Sequence, residues 1–120
     1  GLGKGAGTLG SHAISPLLTP FQGLFVEIIL TAILVFVIFG AAMDKRGAGT
    51  IAPLAIGFAV MVDHFVGVPL TGASMNPART LGPAIAANAW ADHWVYWVGP
   101  LAGAGAAGLV YEFLFKPDKN

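Results

Sequence analysis

The stretch 21–43 limits this chain more than any other. It is an unbroken apolar run that carries one ionisable residue, Glu27. About 20 consecutive apolar residues in a helix cross the hydrocarbon core of a bilayer, so this run is long enough to span. Two further runs, 51–70 and 94–115, meet the same condition, the first of them with Asp63 and His64 in its latter half. Charged residues make up 10% of the chain, where a soluble domain carries roughly 25%. The solvent this sequence is built for is lipid. The expected fold class is therefore an all-α membrane protein with three transmembrane helices.

Polar punctuation separates the runs. Asp44-Lys45-Arg46-Gly47 stops the first and Lys116-Pro117-Asp118-Lys119 stops the third. Residues 1–20 are rich in Gly, Ser and Pro and read as a loop on the outer side, and 116–120 read as a short tail. The chain opens on Gly1 without a signal-peptide pattern and reads as a piece of something longer. Basic residues set the orientation. Lys45, Arg46, Lys116 and Lys119 fall at one end of the spans, and the positive-inside rule makes that end, with the C-terminus, cytoplasmic. Trp90, Trp94 and Trp97 cluster at the opposite boundary, where an aromatic belt is expected. Gly99 and Gly103 give the third run a small-residue face for close helix packing, read here as packing within one subunit.

Several functions are excluded early. Six basic and six acidic residues cancel, leaving no positive field for nucleic acid. The absence of cysteine removes disulfides, thiolate metal sites and thiol nucleophiles. No carboxylate pair, serine–histidine set or metal-ligand cluster is visible, so neither an enzyme, a cofactor nor a metal is expected.

Between the second and third runs lies Asn76-Pro77-Ala78-Arg79, followed by an apolar stretch to about 89 that is too short to span. Pro77 suits the first position of a helix, where its missing N–H costs nothing, and Asn76 suits the cap before it. A short helix that enters the bilayer and stops is tolerated only where its irregular backbone is buried in protein or lines a cavity. Arg79 makes the same demand: facing lipid it costs at least about 2.5–3.5 kcal/mol. It either lines a watery path or reaches back to the headgroups. His64 and Glu27 carry two readings each, a functional polar residue within a span or a packed, hydrogen-bonded structural one.

Taken together these segments resemble the aquaporin, or major intrinsic protein, family. Asn76-Pro77-Ala78-Arg79, with Gly72 before it and Gly82 after it, resembles the second Asn-Pro-Ala box. Glu27 with Thr31, the segment Ala52-Pro53-Leu54-Ala55-Ile56-Gly57-Phe58, and His93-Trp94-Val95-Tyr96-Trp97-Val98-Gly99-Pro100 resemble the family's fourth, fifth and sixth helices. The likeness runs from about 21 to 115. It implies one inverted repeat of the aquaporin right-handed bundle: three spans plus a re-entrant half-helix at about 76–89. It also implies a role for each site residue. Asn76, Pro77 and Ala78 form the pore box. His64, Ala73 and Arg79 belong to a selectivity filter. Thr80, Ala84, Tyr96 and Trp97 match the pattern of water-selective members, and Glu27 is a buried carboxylate that holds the re-entrant backbone.

The activity so implied is passive water conduction without ions or protons. Glycerol-passing members typically have Asp after the box and Gly at the histidine position; this chain has Thr80 and His64. The alternatives are a truncated, non-conducting subunit, or a channel that also passes glycerol or ammonia. Implied partners are water, the bilayer, a first repeat not contained in these residues, and three further copies in a homotetramer. Flanking segments resemble both plasma-membrane and vacuolar-membrane members, with the plasma membrane favoured. No role is expected for Asp63, His12 or His93.

Overall fold

A computed structural model describes residues 8–115. The tail 116–120 and the first seven residues of the loop 1–20 lie outside the described residues. Helices and turns account for the ordered elements, with no strand among the described residues. α1 spans Pro20–Ile38, α2 Ala52–Thr71, α3 Pro77–Ala87 and α4 Val95–Val110. With their short extensions, α1, α2 and α4 become three helices, Pro20–Met43, Gly49–Thr71 and Val95–Phe115, each long and apolar enough to cross a membrane. α3 has 11 residues and extends only about 16 Å at 1.5 Å per residue, half the hydrocarbon thickness.

Local chemistry explains the helix ends. Thr19 caps α1 in a reciprocal box: its hydroxyl accepts from the Gln22 N–H at 3.2 Å, and the Gln22 side chain accepts from the Thr19 N–H at 2.9 Å. Pro20 follows at the first helical position. At the other end α1 widens into a π turn, Phe39–Met43, closed by Asp44 N–H on the Phe39 carbonyl at 2.8 Å. α4 ends in the same way, in a π turn over Tyr111–Phe115. The rings of Phe36, Phe39, Tyr111 and Phe115 pack where the two π turns meet.

α1 is the central element, packed on α4 along one side and on α2 along the other. Small residues permit the α1–α4 approach. A Cβ on Gly99 would sit 2.8 Å from the Cβ of Glu27, and one on Gly103 would collide with the Ile28 carbonyl. The close packing takes place within one chain, as the glycine spacing suggests. On α2 a Cβ on Gly67 would overlap Leu30, which forms a small core with Ala73 and Met75. The outer faces stay apolar: Phe21, Phe25, Phe65, Phe113 and Leu114 are among many large exposed hydrophobic residues. In water such a surface would be untenable; in lipid, or against further protein, it is the expected exterior.

The segment before α1 is more than a tether. Ser15 N–H donates to the Leu70 carbonyl at 2.8 Å, Ile14 lies against Gly23, and His12 lies against Gly72. Residues 12–15 therefore fold over the end of α2 and beside the start of α3.

Candidate functional site

The site is built around the turn that joins α2 to α3. α2 stops at Gly72, whose φ of +89° glycine adopts without strain. Ala73 and Met75 also take left-handed backbone, at φ +55° and +57°, which costs on the order of 1 kcal/mol each for residues with a side chain. Glu27 holds this conformation in place. Its buried carboxylate accepts three hydrogen bonds: Thr71 hydroxyl at 2.7 Å, Ser74 N–H at 3.0 Å and Met75 N–H at 2.8 Å. Successive N–H groups turned to one side form a nest for an anion, and Glu27 is that anion. Tyr96 reaches in from α4 and donates its hydroxyl to the Thr71 carbonyl at 2.7 Å. Both Glu27 and Tyr96 have no exposed surface.

α3 begins just past the turn. The Asn76 side-chain oxygen accepts from the N–H groups of Ala78 at 2.9 Å and Arg79 at 3.4 Å, so the cap is made and the amide NH2 is the donor Asn76 offers outward. Pro77 occupies the first position. The mouth of α3 thus combines a partial positive charge from its backbone dipoles with an exposed donor.

Arg79 lies one turn into α3 and folds back over this mouth. One terminal nitrogen donates to the Ala73 carbonyl at 3.0 Å and reaches the Ser74 carbonyl at 3.5 Å; the other donates to His64 Nε2 at 2.8 Å. His64 is fixed in turn, because its Nδ1 lies 2.7 Å from the Val60 carbonyl. A carbonyl only accepts, so Nδ1 carries the proton and Nε2 is the acceptor that Arg79 requires. Arg79 forms no ion pair among the described residues. Its charge is held by carbonyls and an imidazole rather than neutralised.

Other sequence-derived residues take varied places. Thr80 and Ala84 are buried on the inner face of α3. Thr80 bonds to the Ser74 hydroxyl, and Ser74 donates to the Asn76 carbonyl at 2.7 Å. Trp97 is not brought to the site: it is 40% exposed and donates to His93 Nε2 at 2.9 Å, next to Trp90. Asp63 is buried on α2 with Oδ2 unpartnered, as is the hydroxyl of Thr31 on α1. No cluster of metal-binding side chains occurs among the described residues.

One residue at the site had no signal in the sequence. His12 Nδ1 lies 2.8 Å from the Thr80 hydroxyl, and its ring lies 5.6 Å from that of Tyr96. Burial, and then the neighbouring Arg79 charge, lower its pKa below 6.5. A Cβ on Gly72 would come within 2.8 Å of the His12 ring. Only contact across the fold reveals this histidine, since it stands in a Gly-rich segment with no periodic pattern.

The family profile described as Major intrinsic protein matches residues 3–111. The chain belongs to the major intrinsic protein family. Among curated relatives, Aquaporin-4 of Mus musculus is 51% identical over 114 residues, covering 93% of this chain and 35% of its own length. Probable aquaporin TIP3-2 of Arabidopsis thaliana is 48% identical over 119 residues, covering 98% of this chain and 44% of its own length. Aquaporin TIP4-2 of Zea mays is 49% identical over 110 residues. The chain therefore spans less than half the length of these relatives. For a major intrinsic protein, three apolar helices and one half-length helix amount to one repeat, in an integral membrane setting.

Proposed function

We propose that these residues form the second half of a passive water channel that excludes ions and protons, the first half being supplied by another repeat of the family. The observation that carries this reading is the His64–Arg79 pair set over the mouth of α3. Water entering a narrow path loses its neighbours and needs donors and acceptors in their place. Asn76 NH2 and the Arg79 guanidinium donate; His64 and Arg79, locked together, would form one wall of a narrow polar opening that suits water better than a carbon chain. A cation meets the un-neutralised charge of Arg79 and the positive end of α3. That field opposes protons as well, as is general for aquaporin-type pores. No step requires a nucleophile or general base. Assembly into homotetramers, and a cytoplasmic side at Lys45 and Arg46, belong to the same proposal.

The test is stopped-flow water permeability of vesicles carrying this chain joined to the first repeat of mouse Aquaporin-4. Water permeability well above that of empty vesicles is expected, without ion conductance. A folded, membrane-inserted protein that passes no water sinks the proposal. In the same vesicles His64→Gly should widen the permeant range to glycerol, and an unchanged range would remove His64 from the filter.

A further inference from the structure

Four polar groups run in a line from the segment before α1 to the pore box: His12 Nδ1, the Thr80 hydroxyl, the Ser74 hydroxyl and the Asn76 carbonyl. Chemistry alone fixes the direction of every bond. A carbonyl only accepts, so Ser74 spends its single proton on Asn76, at 2.7 Å. Ser74 must then accept from Thr80. Thr80 has no second proton, so at 2.8 Å it accepts from His12, and His12 carries its proton on Nδ1. The Asn76 carbonyl also accepts from the Thr80 N–H at 3.3 Å, and the Ser74 hydroxyl accepts from the Asn76 N–H at 3.4 Å. The line thus ends on the backbone of the residue that caps α3 and on the first turn that carries Arg79.

We infer that His12 is a positioning residue for the filter: through Thr80 and Ser74 it fixes the first turn of α3, and hence Arg79, and so sets how strictly small solutes other than water are refused. This rests on the water-channel reading above. Each helix of the repeat presents a group to His12: Glu27 from α1, His64 from α2, Arg79 from α3 and Tyr96 from α4. The site needs a donor there that is neutral. A lysine would place a second full charge beside Arg79, and an apolar residue would leave the buried Thr80 hydroxyl without its donor. Gly72 belongs to the same arrangement, since any side chain there meets the ring. The geometry also accounts for the course of residues 12–15, which are tied down by Ser15 N–H on the Leu70 carbonyl.

The experiment uses the joined protein in vesicles and reads the ratio of urea to water permeability, which a mere loss of folded protein leaves unchanged. His12→Phe keeps the ring against Tyr96 and removes the donor; Thr80→Val removes the acceptor. Each should raise the ratio roughly fivefold, the effect of one buried hydrogen bond, and the double variant should do no more than either alone. His12→Asn, whose amide nitrogen takes the place of Nδ1, should restore exclusion. Conducting vesicles in which His12→Phe leaves the ratio unchanged would overturn the inference while leaving the channel reading intact. Vesicles of the unsubstituted protein that pass no water would instead sink the channel reading. Should the variants fail to insert, assigned nitrogen NMR of the unsubstituted protein decides: Nδ1 of His12 must bear the proton, and a proton on Nε2 alone refutes the chain of donors.

Discussion

The two sides of this repeat are held by different physics. On the α3 side, Glu27, Thr71, Ser74, Thr80 and Tyr96 are all buried and bond to one another or to the turn backbone. On the opposite side Asp44 accepts from the Arg46 side chain at 2.8 Å and from the Tyr111 hydroxyl, while Arg46 donates to the Phe115 carbonyl at 2.5 Å. This clasp also draws α1 and α4 together, yet Arg46 is 60% exposed. The Asp44 side chain is covered, but a pair whose arginine lies in the open is still screened by salt and loses side-chain entropy, so such contacts contribute little. In a dry, low-dielectric setting each bond is stronger, and a missing partner costs more. The α3 side, where the proposed filter lies, is therefore rigid, and the π-turn side is where the repeat can yield.

The sharpest way to break this contrast is Glu27→Gln. Glutamine has one acceptor oxygen, and its NH2 would confront an N–H of Ser74 or Met75. A loss on the order of 3 kcal/mol is expected, read as a fall in Tm of the detergent-solubilised joined protein together with lost water permeability. A Glu27→Gln protein as stable as its parent would mean that the turn holds itself.

A middle-sized effect should come from acid. The pKa of His12 is lowered from 6.5 by burial first and by Arg79 second. The unfolded chain then takes up a proton before the folded one as pH falls through 6.5. The contribution of neutral His12 is complete above 6.5 and declines below it. The protonated ring still donates through Nδ1, so the effect is the cost of burying its charge first and repulsion from Arg79 second, rather than a lost bond. Thermal stability should drop on acidification below this value in the parent and stay flat there in His12→Asn.

The smallest effect belongs to the clasp. The Arg46 side chain and the Tyr111 hydroxyl, together with the Arg46 N–H, hold the Asp44 carboxyl below its usual 3.8. A depressed carboxylate contributes above its unfolded pKa and is lost only as pH falls through the folded one, so the clasp stays closed between pH 7 and 4. Arg46→Met should barely move Tm, and that small change should vanish at high salt. A large, salt-independent loss would show that the two sides do not differ.

Much of this architecture was legible in the sequence because it rests on local rules. Apolar runs give the three long helices, and Asn76-Pro77 gives the start of α3. The meeting of His64 with Arg79 came from family resemblance, because no local spacing places residues of two helices together. The rest depends on contact over long separations. Ala73 and Met75 take left-handed backbone against their own preference because Glu27, far back in the chain, rewards it. His12 meets Thr80 across most of the chain's length. The π turns at Phe39–Met43 and Tyr111–Phe115 have no marker in either segment.

The left-handed turn carries a consequence for how the protein is made. Alone, the segment from Gly72 to Met75 would not hold this shape, since two of its residues are strained and its N–H groups face inward. The shape becomes favourable only once α1 brings Glu27 beside it and α4 brings the Tyr96 hydroxyl onto Thr71. α4 lies downstream of the turn, so a chain emerging from the ribosome cannot finish the turn when it is synthesised. Glu27 can gather the turn's N–H groups first, and the bond from Tyr96 completes it once α4 arrives. The turn that carries the proposed filter is thus among the last parts to set during biogenesis, and folding errors in α4 would appear first in that turn rather than as missing helices.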